Sequence, residues 1–276
     1  MVLISLIGIA VRGLQFGIDF KGGKEFVVSF ENPASVADVR TVLTTAIGSQ
    51  PETKIFGSDK DLLLRIDSDK DLNDLTAIIN ATLAEKFTDN KSVIIKTDVV
   101  GPRFAEDLKQ SALMAILFSL VMIFTYILIR FSNWRFSAGA VAALAHDVIV
   151  VLGAITIFDH FFSFNLDLDQ NMIAALLTIV GYSINDTVVI FDRIRENLQV
   201  HKNESLETLV NRSVNQTLSR TIITTGTTLF VVLGMFIFGG EVLKGLSFAL
   251  LVGMVAGTYS TIFVASPLYI DLSRKK

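Results

Sequence analysis

The chain has 276 residues, of which 51% are hydrophobic and 18% charged, with a formal net charge of −3 and no cysteine. These proportions exclude a disulfide framework, and apolar runs of this length argue for bilayer segments rather than one soluble core. The lack of cysteine fits an exported domain without disulfides but does not choose a compartment.

The first apolar run, residues 1–11, rises only about 16 Å, roughly half of a hydrocarbon core near 30 Å. Neither a basic n-region nor a small-residue cleavage site precedes Arg12 and Gly13. We therefore read 1–16 as a truncated first transmembrane helix rather than a signal peptide.

Residues 17–108 alternate short β-rich runs with helical stretches and read as a separate α+β domain. "EFVVSF" (25–30) is a strand, and "SVADVRTVLTTAI" (35–47) is a helix with Ser35 as N-cap and Asp38 in its first turn. "TKIF" and "LLLRI" form a hairpin across "GSDKD" (57–61), "DLNDLTAIINATLAEKF" (71–87) is the second helix, and "SVIIKTDVV" (92–100) the last strand. The order βαββαβ is that of a ferredoxin-like sandwich. Its mildly acidic balance, without a basic stripe, argues against nucleic acid. Gly22 and Gly23 can supply positive φ before the first strand, and a plain turn is what such glycine pairs usually mark. Gly101 and Pro102 break the chain after the last strand and form a hinge candidate.

Residues 109–276 contain five long apolar runs, at about 111–130, 136–158, 171–191, 221–239 and 245–270, with an amphipathic connection over 192–219. With the first helix the expectation is six spans. Arg130 and Arg135, then Arg193, Arg195, Lys202, Arg212 and Arg220, then Arg274, Lys275 and Lys276 fall on one side, whereas the alternate loops hold only Lys244. The positive-inside rule then places both termini inside and 17–108 outside.

Charge within the spans costs roughly 2.5–3.5 kcal/mol per residue even on the lenient insertion scale, so it marks a protein interior or wet cavity. Asp147 lies about 16 Å and Asp186 about 9 Å from the inner surface at the helical rise, with Arg220 at that surface. Thr178, Tyr182, Asn185 and Asp186 recur at helical spacing, as do Arg220, Thr224 and Thr227 or Thr228. A helix shift past a movable Arg could load and release a proton here, which makes Asp186, Arg220, Asp147 and Asn185 candidate relay residues. The plainer accounts are a snorkelling Arg220, a structural Asp186–Arg220 pair, and a hydrogen-bonded Asp147 beside a packed His146. Gly253 and Gly257 form a GxxxG, and Gly139, Ala143 and Gly153 offer further small contacts. His160 with Asp159, Asp167 and Asp169 reads as a flexible acidic loop rather than a metal site. No phosphate loop, metal cluster or nucleophile triad stands out, so no cofactor is implied.

"GIDFKGG" (17–23), "VVGPRFAEDL" (99–108), "AHDV" (145–148), "GYSINDTVVIFDRIREN" (181–197) and "SRTIITTGTTL" (219–229) together resemble the SecD/SecF family, on its smaller SecF side, which is related to the RND transporters. The resemblance covers nearly the whole chain. It implies a non-enzymatic accessory subunit in the bacterial cytoplasmic membrane that works with SecD and the proton motive force in late protein export. Implied partners are SecD, the SecY channel complex, SecA, a YajC-type accessory protein, the translocating polypeptide, protons and membrane lipid. Three other readings compete. An intramembrane aspartyl protease would use Asp147 and Asp186, but no GxGD motif leads into Asp186, where the chain reads "SIND". An RND-like small-molecule exporter needs larger outside domains, and a passive translocon scaffold would not need the Asp186 charge.

Overall fold

The computed structural model describes residues 1–274; Lys275 and Lys276, expected among the inside charges, lie outside the described residues. The chain forms two compact units. One comprises Gln15–Ala112 with Phe158–Gln170, and the other comprises Met1–Leu14, Leu113–Ile157 and the chain from Asn171 onward.

In the α+β unit, helix α2 (Ile18–Lys21) leads into β1 (Gly23–Phe30), α3 (Val36–Ile47), β2 (Glu52–Phe56), β3 (Ser58–Ile66), α4 (Leu72–Lys86) and β4 (Ser92–Val100). The four strands form one sheet in the order β2-β3-β1-β4, with every neighbouring pair antiparallel. Period-two alternation sends Phe26, Val28 and Phe30 of β1 and Leu62, Leu64 and Ile66 of β3 to one face. There they pack with Val39, Leu43 and Ile47 of α3 and Leu75, Ile79 and Leu83 of α4, which recur every four residues. Burying each such side chain contributes about 1.5–3 kcal/mol. Ser35 caps α3 by accepting from the Asp38 amide at 3.3 Å, and Asp71 caps α4 by accepting from the Asn73 amide at 3.3 Å.

The opposite face of the sheet carries Glu25, Val27, Leu63 and Arg65, which are also buried. The segment 158–170 meets this face. It brings Phe164, Leu166 and Leu168, all buried, and its backbone is tied in by the Gly57 amide donating to the Ser163 carbonyl (3.0 Å).

Two details of this unit differ from the sequence reading. The hairpin turns on Gly57 alone, at φ 76°, and Ser58–Asp61 already belong to β3, because a left-handed glycine reverses the chain without a longer loop. The acidic loop is not free, because Asp167 is 2% exposed.

In the helical unit, α1 (Val2–Arg12) is followed after the α+β unit by α5 (Pro102–Phe131), which begins in that unit, then α6 (Trp134–Phe158), α7 (Gln170–Val200) and α8 (Leu206–Phe238). The last apolar stretch is α9 (Glu241–Ser260), a π-turn (Thr261–Ala265) and α10 (Ser266–Arg274). Five of these stretches, of 25 to 34 residues, are long and apolar enough to cross a bilayer, and the chain is a multi-pass membrane protein. α1 covers 11 residues. Small residues set the helix spacing: a side chain at Gly139 would strike the Ala265 carbonyl at 2.8 Å, and one at Gly153 would overlap Ser5.

The connection at 192–219 is not a separate element. α7 runs on to Val200, and α8 starts at Leu206 with Ser205 as its cap. Asn197 donates to Ser213 (2.8 Å) and Gln216 (3.0 Å), which joins the two extensions. Above them Phe131, Phe136, Phe191 and Tyr269 cluster, with Phe136 and Tyr269 stacked at 4.2 Å. Arg220 consequently lies midway along α8, just before the apolar run 221–239.

Candidate functional site

Close helix contacts bring two carboxyls into the interior of the helical unit. Gly253 and Gly257 of α9 lie against α7: a side chain at Gly253 would overlap Ile179, and one at Gly257 would meet Ser183 Cβ at 3.0 Å and Asp147 Oδ2 at 3.5 Å. The glycines thus let α6, α7 and α9 converge on Asp147.

Asp147 is fully buried, at 0% exposure. Its Oδ2 accepts from Ser183 Oγ (2.7 Å, α7) and Ser260 Oγ (2.9 Å, α9), and its Oδ1 lies 3.0 Å from His146 Nδ1. The His146 ring stacks on Tyr259 at 5.8 Å. Asp186 is 5% exposed and accepts from Thr225 Oγ1 of α8 at 3.4 Å, while Thr225 shares a 3.0 Å hydrogen bond with Thr258 of α9. Thr187 and Thr261 form another buried hydroxyl pair, 2.9 Å apart.

Hydroxyls are the fitting neighbours for a carboxyl that changes charge. Each donates to an ionised carboxylate and accepts from a protonated acid, so no buried polar group is stranded in either state. Among the described residues no hydrogen bond joins Asp147 to Asp186, and each carboxyl has its own partners.

Other candidates sit elsewhere. Arg220 is exposed, and among the described residues no ion pair within 4.0 Å connects it to Asp186. Asn185 is exposed, because consecutive helical residues differ by about 100° in direction. Thr178, Thr224 and Thr227 bond carbonyls of their own helices, whereas Thr221 and Thr225 carry the buried face of α8. The residues missed from sequence are Ser183, Ser260, Thr225 and Thr258. The run "TTGTT" offered Thr225 at helical spacing from Thr221, but spacing alone does not choose between two adjacent threonine faces.

The two chain breaks meet in the α+β unit. Gly22 (φ 76°) and Gly23 (φ 118°) both adopt left-handed backbone, and a side chain at Gly22 would meet Pro102 Cα at 3.1 Å. Gly23 pairs with Val100 at the end of the β1–β4 ladder, and Pro102 opens α5 where its missing amide costs nothing. Gly101 has open space around it.

On the outer sheet face, Asp167 Oδ2 is 2.6 Å from Arg65 Nη1 and Oδ1 is 3.0 Å from Lys54 Nζ; Arg65 Nε donates to Glu25 at 2.8 Å. Burial alone would raise the Asp167 pKa, but the adjacent Arg65 and Lys54 charges hold it below the usual carboxylate range. Burial pushes Asp159 upward, with Lys54 only partly opposing at 3.6 Å.

Several known proteins are similar to this chain. Residues 79–275 match the family described as protein export membrane protein SecD/SecF, C-terminal, and residues 7–34 match the SecD/SecF GG motif. The protein translocase subunit SecF of Rhodothermus marinus is 52% identical over 99% of this chain and 88% of its own length. That of Escherichia coli O157:H7 is 36% identical over 100% of this chain and 84% of its own. The crystal structure of SecDF from Thermus thermophilus, a translocon-associated membrane protein, superposes with a TM-score of 0.88 at 34% identity, covering 99% of this chain and 36% of that longer chain. By sequence over nearly its full length, and by fold, the chain belongs to the SecD/SecF family, on its SecF side.

Proposed function

We propose that this chain is the SecF-type subunit of a bacterial protein translocase and that, with SecD, it uses the proton motive force to promote late stages of export. The observation that carries the reading is the pair of buried carboxyls: Asp147, which accepts from Ser183 and Ser260 and contacts His146, and Asp186, which accepts from Thr225, hydroxyl partners that can serve either protonation state. Asp186 and Asp147 bind the proton in turn. Arg220 biases Asp186 from a distance, and Asn185 lines the more open side of α7. One charge moved through 100 mV is worth about 2.3 kcal/mol, roughly a 50-fold bias on a conformational equilibrium.

In this reading α1 contributes to a sixth span, and residues 17–108 form a periplasmic domain. Its βαββαβ order and β2-β3-β1-β4 sheet support the ferredoxin-like description. Both termini are cytoplasmic. The Gly22, Gly23, Gly101 and Pro102 junction serves as the hinge of that domain, and Gly253 and Gly257 hold the relay together. The SecY channel, SecA and a YajC-type protein complete the assembly around the translocating polypeptide.

The test is export into inverted membrane vesicles containing SecD, with and without a proton gradient, at equal membrane abundance of each variant. Asp186→Asn and Arg220→Ala should lose the gradient-dependent part and keep the rest. Unchanged export from Asp186→Asn would make the carboxyl structural and the subunit a scaffold.

A further inference from the structure

The segment joining α6 to α7 is built into the α+β unit as a third layer. Phe164, Leu166 and Leu168 are buried, and Asp167, 2% exposed, bridges Arg65 of β3 and Lys54 of β2. The same segment is knitted to the chain leaving α1: the Gly17 amide donates to the Leu168 carbonyl (2.8 Å), the Leu168 amide to the Gln15 carbonyl (2.8 Å), and the Gln170 amide to Asp19 Oδ2 (2.9 Å). A buried ion pair gives little net stability, since desolvation offsets attraction, but it fixes one register and penalises every other. A merely solvated loop between two spans has no need of one.

We propose that Asp167, clasped by Arg65 and Lys54, is a coupling latch that keeps the α6–α7 segment attached to the α+β unit throughout the transport cycle. Displacement of that unit is thereby delivered along the chain to α6 and α7, the helices that bear Asp147 and Asp186. The inference rests on the proton-relay reading above and gives Asp167 a positioning role.

The chain contains no cysteine, so a Phe16→Cys, Leu168→Cys pair, placed at an observed parallel bridge, can serve as a covalent substitute for the latch. In SecD-containing inverted vesicles, Asp167→Asn should raise the detached population of the segment by roughly 100-fold. It should abolish gradient-dependent export, and the oxidised cysteine pair should restore that export until reductant is added. With Asp167 intact, the oxidised pair should leave export unchanged. Wild-type export by Asp167→Asn, no rescue by a fully formed cross-link, or arrest of the Asp167-intact protein on cross-linking would each overturn the latch. The two readings fail separately: Asp186→Asn should lose gradient-dependent export with or without the cross-link, and if it does so while Asp167→Asn does not, only the latch is wrong.

Discussion

The two units solve the burial of polar groups in opposite ways. In the α+β unit, Asp167, Arg65 and Glu25 are buried as charges and answered by charges, with the half-buried Lys54 as a further partner of Asp167. In the helical unit, Asp147 and Asp186 are buried beside Ser183, Ser260 and Thr225, neutral hydroxyls that donate or accept. A pair of fixed opposite charges locks one state, because removing either partner leaves the other stranded. A carboxyl among hydroxyls remains satisfied in two states. The difference separates charges that fix one arrangement from carboxyls whose hydroxyl partners serve either protonation state.

The comparison breaks most severely in the cores. Phe26→Ala, at a fully buried site of the sheet, should cost about 3–5 kcal/mol, seen as lost hydrogen-exchange protection over residues 23–100 of the full-length protein. A loss confined to the strand ends would show that the segment 158–170, rather than the two helices, carries the sheet.

In the helical unit the corresponding failure comes from adding atoms. Gly257→Val should cost about 1–3 kcal/mol by driving α9 away from Ser183 and Asp147, read as a lower thermal midpoint in detergent. Gly181, which has open space around it, should tolerate the same change apart from its effect on helix propensity.

Acid sharpens the contrast. The folded Asp167 pKa is depressed, so its contribution is present above the unfolded value of about 3.9 and is lost as pH falls through the folded value. Asp159 is raised and acts in the opposite sense, favouring the fold below about 3.9 and losing that contribution as pH rises through its folded value. Arg65, Lys54, Glu25 and Glu52 face these carboxyls. At neutral pH, protease should cut the 158–170 segment faster in Asp167→Asn than in wild type. With pepsin the difference should shrink once the pH drops below the depressed Asp167 value; a constant difference would mean that the Asp167 charge is irrelevant.

The smallest effect is local. Ser35→Ala should remove about 1 kcal/mol at the start of α3, measurable as faster amide exchange at Asp38 with little change elsewhere.

Much of the fold could be read from periodicity. The strands at 25–30 and 92–100, the helix starting after Ser35 and the long apolar runs all follow patterns that local physics dictates. Gly57 did not reveal its turn, because "GSDKD" contains several acceptable turn residues and only the sheet register shows that one suffices. The site was legible to the level of Asp147 and Asp186, whose cost in lipid marks them. Their partners were not, since serine and threonine are common in spans and usually bond their own helix, as Thr224 and Thr227 do. Asp167 was read as mobile because its countercharges, Lys54 and Arg65, lie more than one hundred residues earlier in a different kind of structure.

The π-turn at Thr261–Ala265 gives the last span two phases. Each helical residue advances by about 100°, so the residue accommodated by the wider turn resets the angular count for everything after it. Upstream, Gly253, Gly257 and Ser260 key into Ile179, Ser183 and Asp147; at the end of the turn Ala265 lies against Gly139, and downstream Tyr269 lies against Phe136. The Thr261 carbonyl accepts from Ser266 Oγ at 3.0 Å, and the Gly257 carbonyl accepts the hydroxyls of Ser260 and Thr261, which mends the interrupted ladder. One rod thus works as a shaft with two keyways cut at different bearings.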